Sequence, residues 1–456
     1  MTIFAAVSLL GVLAGPSPAE RLEVVAPRAF HGALTAYVRH RERDLPVDLV
    51  ALEEILEKGA GRDDPEKVKR HLYDGYRERG VRYALLVGDA DVFPVRYMVL
   101  DRVTSEAFDF AFYPSDLYYA DLAKRPGGAF EDWNGRRDGF HEGYFGEVRG
   151  EKWKDGPINA DGIDYVPEIA VGRWPVSRPD EAAVVAAKTI AFETDPPART
   201  AAALCVDGWI DARGALDAAI GKLPRGWSAE RRYYFAAGEG ERTPPPSEES
   251  AVELVNSGVA LLVHAGHGFD HGWDRSLTVN ALPRFTRAAI FFSIGCSTAR
   301  FATLPPYEAY VDVAGAAHAG TNSKEVFTAP PPPPACYAIG PHNPPGLGER
   351  LVREGASSGA VAYIGCNTGG QPCAMTLLDG FFTALGEAEG TVPPRLGDLY
   401  ARALTLYYER ENLATLAPDE GWYPPSIFFQ GMKYMLFGDP TLKLPAGGGA
   451  SGARPR

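Results

Sequence analysis

Short apolar runs alternate with amphipathic stretches along most of the chain. Leu22–Ala26 (LEVVA), Val47–Leu52 and Tyr83–Gly88 are too short for typical helices and are rich in Val, Leu and Ile, a pattern that predicts strands. Between them, Phe30–Arg41 and the charged Asp64–Arg79 carry apolar positions at helical spacing. A strand at Ile169–Val171 follows, then a helix to about Thr194 opened by a cap-like Ser177 and Asp180. After the linker-like DPPART the pattern restarts: strand at Ala201–Asp207, helix near Gly214–Lys222, strand near Arg232–Phe235, helix at Glu248–Asn256, and apolar runs at Val259–Val263 and Ala288–Ile294. Leu347–Arg353 then reads as a helix, Ala360–Ile364 as a buried strand and Leu377–Leu385 as a helix. Strands alternating with helices predict an α/β fold with a mostly parallel sheet flanked by helices. The restart divides it into two successive subdomains, residues 20–200 and 201–445, both expected to feed one functional edge.

The second subdomain carries the chemistry. Val259–Val263 leads to His267 and Gly268, and Ala288–Ile294 leads to Gly295 and Cys296. Functional residues of an open α/β sheet lie just beyond the carboxyl ends of its strands. Parallel neighbours would therefore bring this imidazole and this thiol to one edge, as a thiol nucleophile and a proton donor require.

A strand ending in His-Gly, followed by one ending in a small residue and Cys, resembles the caspase, legumain and gingipain group of cysteine peptidases, and within it the gingipain type. Four further blocks share the likeness in order: YALLVGDADVFPVRY (Tyr83–Tyr97), PEIAVGRWPV (Pro167–Val176), SGAVAYIG (Ser358–Gly365) and KYMLFGDPTLKL (Lys433–Leu444). The resemblance implies a caspase-like three-layer sandwich and a cysteine endopeptidase acting on proteins or peptides. Cys296 would attack as thiolate, since a free thiol titrates near ~8.5 and only its anion is nucleophilic. His267 would protonate the departing amine, which leaves badly otherwise. Backbone N–H groups of Gly268 and Cys296 would receive the oxyanion. Glu168 matches an acidic position before the VGR block: it would orient His267, or else pair with Arg173 as a strand-edge carboxylate. Trp273 would line the pocket for the residue before the scissile bond. No specificity acid can be placed on the sequence, so the preferred residue stays open. No cofactor is required. Structural calcium, which the family can carry, has Asp132, Asn134, Asp138 and Glu142 as oxygen ligands, but Arg136 and Arg137 interrupt the run and a solvated turn is the alternative.

Composition narrows the field. Of 456 residues, 45% are hydrophobic, enough for a substantial core, and 46 Lys and Arg against 59 Asp and Glu give a net charge of −13. No basic tract appears, which argues against a nucleic-acid surface. Met1–Ala19 contains an uncharged run of signal-peptide length, with small residues at Ser17 and Ala19 but no Lys or Arg ahead of it. It predicts a secreted or periplasmic protein, with a buried first element or a misplaced start as the alternative. No apolar run is long enough to span a bilayer. The cysteines at 205, 296, 336, 366 and 373 are odd in number, which leaves Cys296 as the natural free thiol, while Cys366 and Cys373 could close a small loop.

Rival readings remain. His264, His267 and His271 suggest a zinc hydrolase, but the run leaves a strand for a Gly-rich turn, where the side chains diverge. Gly355–Gly359 matches G-x-S-x-G but precedes its strand, the wrong order for a nucleophile elbow. A catalytically idle binding protein could use the aromatic stretch Asp101–Tyr165 and the insertion 302–346, whose five prolines Pro330–Pro334 favour an extended form. The tail 446–456 is Gly-rich and expected to be disordered, and the oligomeric state is left open.

Overall fold

The structure is a computed structural model, which describes residues 19–99, 112–125, 128–133, 158–159, 162–235, 239, 244–328, 331–335, 344–388, 390, 392–417 and 423–445. The leader, the tail, Cys336 and, of the calcium run, Asn134, Asp138 and Glu142 lie outside the described residues.

Ten strands form one sheet: β1 Arg21–Ala26, β2 Val47–Ala51, β3 Val81–Val87, β4 Ala170–Trp174, β5 Ala198–Cys205, β6 Ser228–Tyr233, β7 Val259–Ala265, β8 Ala288–Ser293, β9 Gly359–Cys366 and β10 Tyr434–Phe437. Their order is β2-β1-β3-β4-β10-β9-β8-β7-β5-β6. Helices α1 His31–Arg41, α2 Asp64–Asp74, α3 Pro179–Thr194, α4 Arg213–Ile220, α5 Glu248–Asn256, α6 Leu347–Arg353, α7 Ala374–Glu387 and α8 Leu396–Arg410 cover both faces. Alternation within the strands builds two cores. Leu261, Val263, Ile290 and Phe292 point to the layer of α2, α4, α7 and α8, and Leu262, Ala289 and Phe291 to that of α1, α3, α5 and α6. The result is the expected three-layer α/β sandwich.

Two expectations are corrected. The linker DPPART is shorter than its composition suggests, because β5 already begins at Ala198. The two halves also do not feed one edge. Within each half the strands are parallel, but β10, parallel to β4, runs antiparallel to β9. The carboxyl ends of β1–β4 therefore lie at the opposite edge from those of β5–β9, and only the second half delivers its strand ends to the candidate site. The last strand, at the far end of the chain, knits the halves into one sheet.

Other details follow local chemistry. Asp63 caps α2 by accepting the Glu66 N–H at 3.0 Å. For α3 the capping carboxylate is Glu181, which accepts from Ser177 and Arg178, in place of the expected Asp180. Asp89 is a turn residue, accepting from the Ala90 N–H at 2.7 Å and from Arg353 at 2.7 Å. Among the described residues no helix is long and apolar enough to cross a membrane.

The insertion after Cys296 has its own clamp. Tyr310–Val311 pairs antiparallel with Ala317–His318, and residues 331–334 lie beside it, Pro333 O accepting from Val313 at 2.9 Å and Pro334 bridging Asp312. His318 bridges Asp312 at 3.0 Å and Glu325 at 2.9 Å. Burial pulls the His318 pKa down, but its hydrogen bonds to Asp312 and Glu325 outweigh that and raise it. Both carboxyls are pushed up by burial and brought down, on balance, by His318. The raised histidine stabilises below its free value of about 6.5 and loses that contribution as pH rises through its folded pKa; the lowered carboxyls stabilise above about 4 and lose theirs as pH falls. Proteolysis within residues 302–328, referenced to an unfolded peptide, is expected to be slowest between about pH 4.5 and 6.5 and to accelerate on either side. A rate flat across this range would show that the clamp does not hold the segment.

Candidate active site

β7 and β8 are adjacent and parallel, with Ser293 opposite His264. Continuing each chain by the same number of residues reaches His267 and Cys296, so both arrive at one level above the sheet. The turns are built for close approach. A Cβ on Gly268 would meet Thr298 Cγ2 at 2.5 Å and Cys296 O at 2.8 Å, so only glycine lets the histidine turn lie against the cysteine turn. This contact brings the backbones of Gly268 and Cys296 together. Ser297, with φ of 57°, turns the chain sharply after the thiol, and its N–H is held by Thr368 O at 2.7 Å.

His267 and Cys296 wall one cleft, shared with Trp209, Ile210, Gly370 and Gln371. The Gly370 N–H donates to Cys296 Sγ at 3.2 Å, placing a backbone donor at the sulfur. The Trp209 ring stands edge-on to His267, with centroids 6.1 Å apart. These residues were missed by sequence reasoning. Their one signal is position: Trp209 follows β5 and Gly370 follows β9, strands that flank the β7–β8 pair and end at the same edge.

Two other predicted site residues are placed elsewhere. Glu168 accepts hydrogen bonds from the N–H groups of Leu122 at 2.8 Å and Ala123 at 3.0 Å and from Arg125 at 3.1 Å. Its oxygens are thus taken up in pinning the 120–125 turn, and neither expected partner is found: Arg173 pairs with Asp116 instead, and among the described residues no carboxylate bonds His267. Trp273 is 1% exposed and lines no part of the cleft. It stacks on His264, with centroids 4.5 Å apart and planes 3° from parallel, and donates to Tyr363 Oη at 2.9 Å.

His264 is buried beneath the two turns. Its Nδ1 is hydrogen-bonded to Ser293 Oγ at 2.9 Å, and burial, with a further push from His267, lowers its pKa to about 3. It is a neutral wedge beneath Gly266 and Gly295. His271 is exposed and paired with Asp270 at 2.8 Å, so the histidine run points into three different surroundings, and no cluster of metal-binding side chains occurs among the described residues.

The thiols separate by environment. Cys205, Cys366 and Cys373 are buried and form no disulfide among the described residues, so the loop-closing bridge between Cys366 and Cys373 is not formed. Burial pushes the Cys205 and Cys366 thiols up to about 12. Cys296 is partly exposed in the cleft. Iodoacetamide at neutral pH is therefore expected to modify Cys296 at least about tenfold faster than those three in the native protein, as read by peptide mapping over time. Equal rates at all four would contradict this placement.

Residues 16–445 match the family model of Peptidase family C25. The chain belongs to that family. It is accordingly a cysteine-type peptidase, with protein substrates implied by the family. Solved structures agree in fold. The Arg specific cysteine proteinase gingipain R (RGPB) superposes with a TM-score of 0.58 at 14% identity, covering 94% of this chain and 78% of that one. The complex of Porphyromonas gingivalis RgpB pro- and mature domains gives 0.58 at 14% identity, over 93% and 80%. No curated protein matches.

Proposed function

We propose that this C25 peptidase cleaves peptide bonds by acyl transfer to Cys296, with His267 as the proton donor. The observation that carries this reading is the shared cleft: thiol and imidazole end adjacent parallel strands and wall one cavity. The thiolate attacks the scissile carbonyl carbon, forming the C–S bond while electrons move to the oxygen. N–H groups of Gly268 and Cys296 receive that charge. As the tetrahedral intermediate collapses, the C–N bond breaks and His267 delivers its proton to the amine. Water, deprotonated by the now neutral His267, then hydrolyses the thioester and returns the thiol. Among the described residues no carboxylate bonds the imidazole, and the Trp209 ring stands edge-on beside it. The leader-like Met1–Ala19 supports export to the periplasm or beyond, which N-terminal sequencing of protein from the native host would check.

The test is digestion of a complex peptide library by the wild type and by Cys296→Ala, with new termini read by mass spectrometry. Cleavages made only by the wild type would support the reading. The same cleavages from both proteins, or none from either in the presence of reductant, would overturn it.

A further inference from the structure

The cleft at Cys296 has walls of one chemical kind. Val206, Trp209, Ile210, Ala212, Ile294 and Pro372 form its sides, and apart from Cys296 and His267 none of the described side chains that line it is ionisable. The acids flanking Trp209–Ile210 in sequence do not line it. Asp211 is held by Arg213 at 2.7 and 2.8 Å, and neither Asp207 nor Asp211 reaches the cavity wall. Trp209 is 65% exposed and Ile210 41%, unusual for such large apolar residues beside a polar surface. One buried acceptor, Gln371 Oε1, has no partner among the described residues. A neutral amide oxygen can accept a main-chain N–H, but it does not neutralise a guanidinium or ammonium, whose burial without a counter-charge is costly.

We propose that this cleft is the subsite for an apolar side chain, of the Leu, Met or Phe class, on the residue that supplies the scissile carbonyl, with Trp209 and Ile210 as its specificity-determining wall. The inference rests on the peptidase reading above. The acyl part of the substrate stays bound through both half-reactions while the amine leaves, so the cavity next to the thiol must accommodate the acyl-side residue. An apolar side chain there covers Trp209 and Ile210 and removes their surface from water. A basic side chain would meet no charge of opposite sign among the described residues.

Two readouts keep this inference separable from the reading it rests on. Binding of the product-like peptides acetyl-Ala-Ala-X, with X as Leu, Phe, Arg, Lys or Asp, is measured by calorimetry on Cys296→Ala, which needs no catalysis. Leu and Phe are expected to bind at least about tenfold more tightly than Arg, Lys or Asp. Trp209→Ala, added to this protein, should remove most of that difference, and Ile210→Asp should shift the order toward Arg by about tenfold; both residues are exposed, so neither change threatens the fold. Binding of Arg or Lys equal to or tighter than Leu and Phe, or no binding of any peptide at millimolar concentration, would overturn the proposal. In parallel, wild-type hydrolysis of the matching coumarin amides tests the peptidase reading by itself: absence of turnover for every X would sink that reading, while the binding order would still decide the subsite.

Discussion

Cys296→Ala is expected to lower kcat/KM for any cleaved peptide by at least about 10³-fold, because it removes the atom that forms the acyl bond. The loss should be chemical, not structural. The sulfur is partly exposed in the cleft, and its polar contacts among the described residues are to Gly370, 3.2 Å from that N–H and 3.6 Å from that carbonyl. Thermal unfolding of the variant should therefore stay within a few degrees of the wild type, while steady-state assays lose the signal. His267→Ala should fall by a comparable factor, and the double variant by little more than either alone, since residues acting as one unit are not additive. A Cys296→Ala protein that retains more than a tenth of wild-type kcat/KM would exclude this thiol as nucleophile.

The second large effect lies in the scaffold. Arg173, fully buried in β4, donates from Nε and Nη2 to Asp116, both at 2.7 Å, and from Nη1 to Gly88 O at 2.8 Å. Its guanidinium carbon also stands over the Phe93 and Phe301 rings, at 5.1 and 5.2 Å from their centroids. Arg173→Met would leave the Asp116 carboxylate and the Gly88 carbonyl without their donors inside the fold. It is expected to cost about 3–5 kcal/mol, the usual penalty for removing one partner of a buried pair. Urea denaturation measures this, and Arg173→Met with Asp116→Leu should recover part of the loss because no buried charge is stranded. A single variant within about 1 kcal/mol of wild type would show the pair to be dispensable.

Much of this architecture was legible in the sequence, for a definite reason. Buried parallel strands read as short unbroken apolar runs, so Val259–Val263 and Ala288–Ile294 disclosed themselves, and with them the residues just beyond. What such runs do not encode is direction. Nothing in KYMLFGD says that Tyr434–Phe437 inserts between β4 and β9, antiparallel to β9, and the edge reached by the first half was misread as a consequence. Side-chain partners were lost in the same way. Glu168 is claimed by backbone donors more than forty residues earlier, and Trp273 by His264 beneath it and Tyr363 across the sheet. Trp209 gave no signal in the hydrophobic pattern because a lone aromatic in a loop has no periodicity; its place after β5 was the one clue. Only the fold shows that it overhangs the histidine.

The most direct test of Cys296 as nucleophile is covalent trapping. A peptidyl acyloxymethyl ketone is incubated with the native protein and the adduct located by peptide mapping, with activity followed in the same samples. A single adduct on Cys296, forming in step with inactivation and absent from His267→Ala on the same timescale, is the expected result. Full inactivation with Cys296 unmodified, or stoichiometric modification of Cys296 with activity intact, would contradict it.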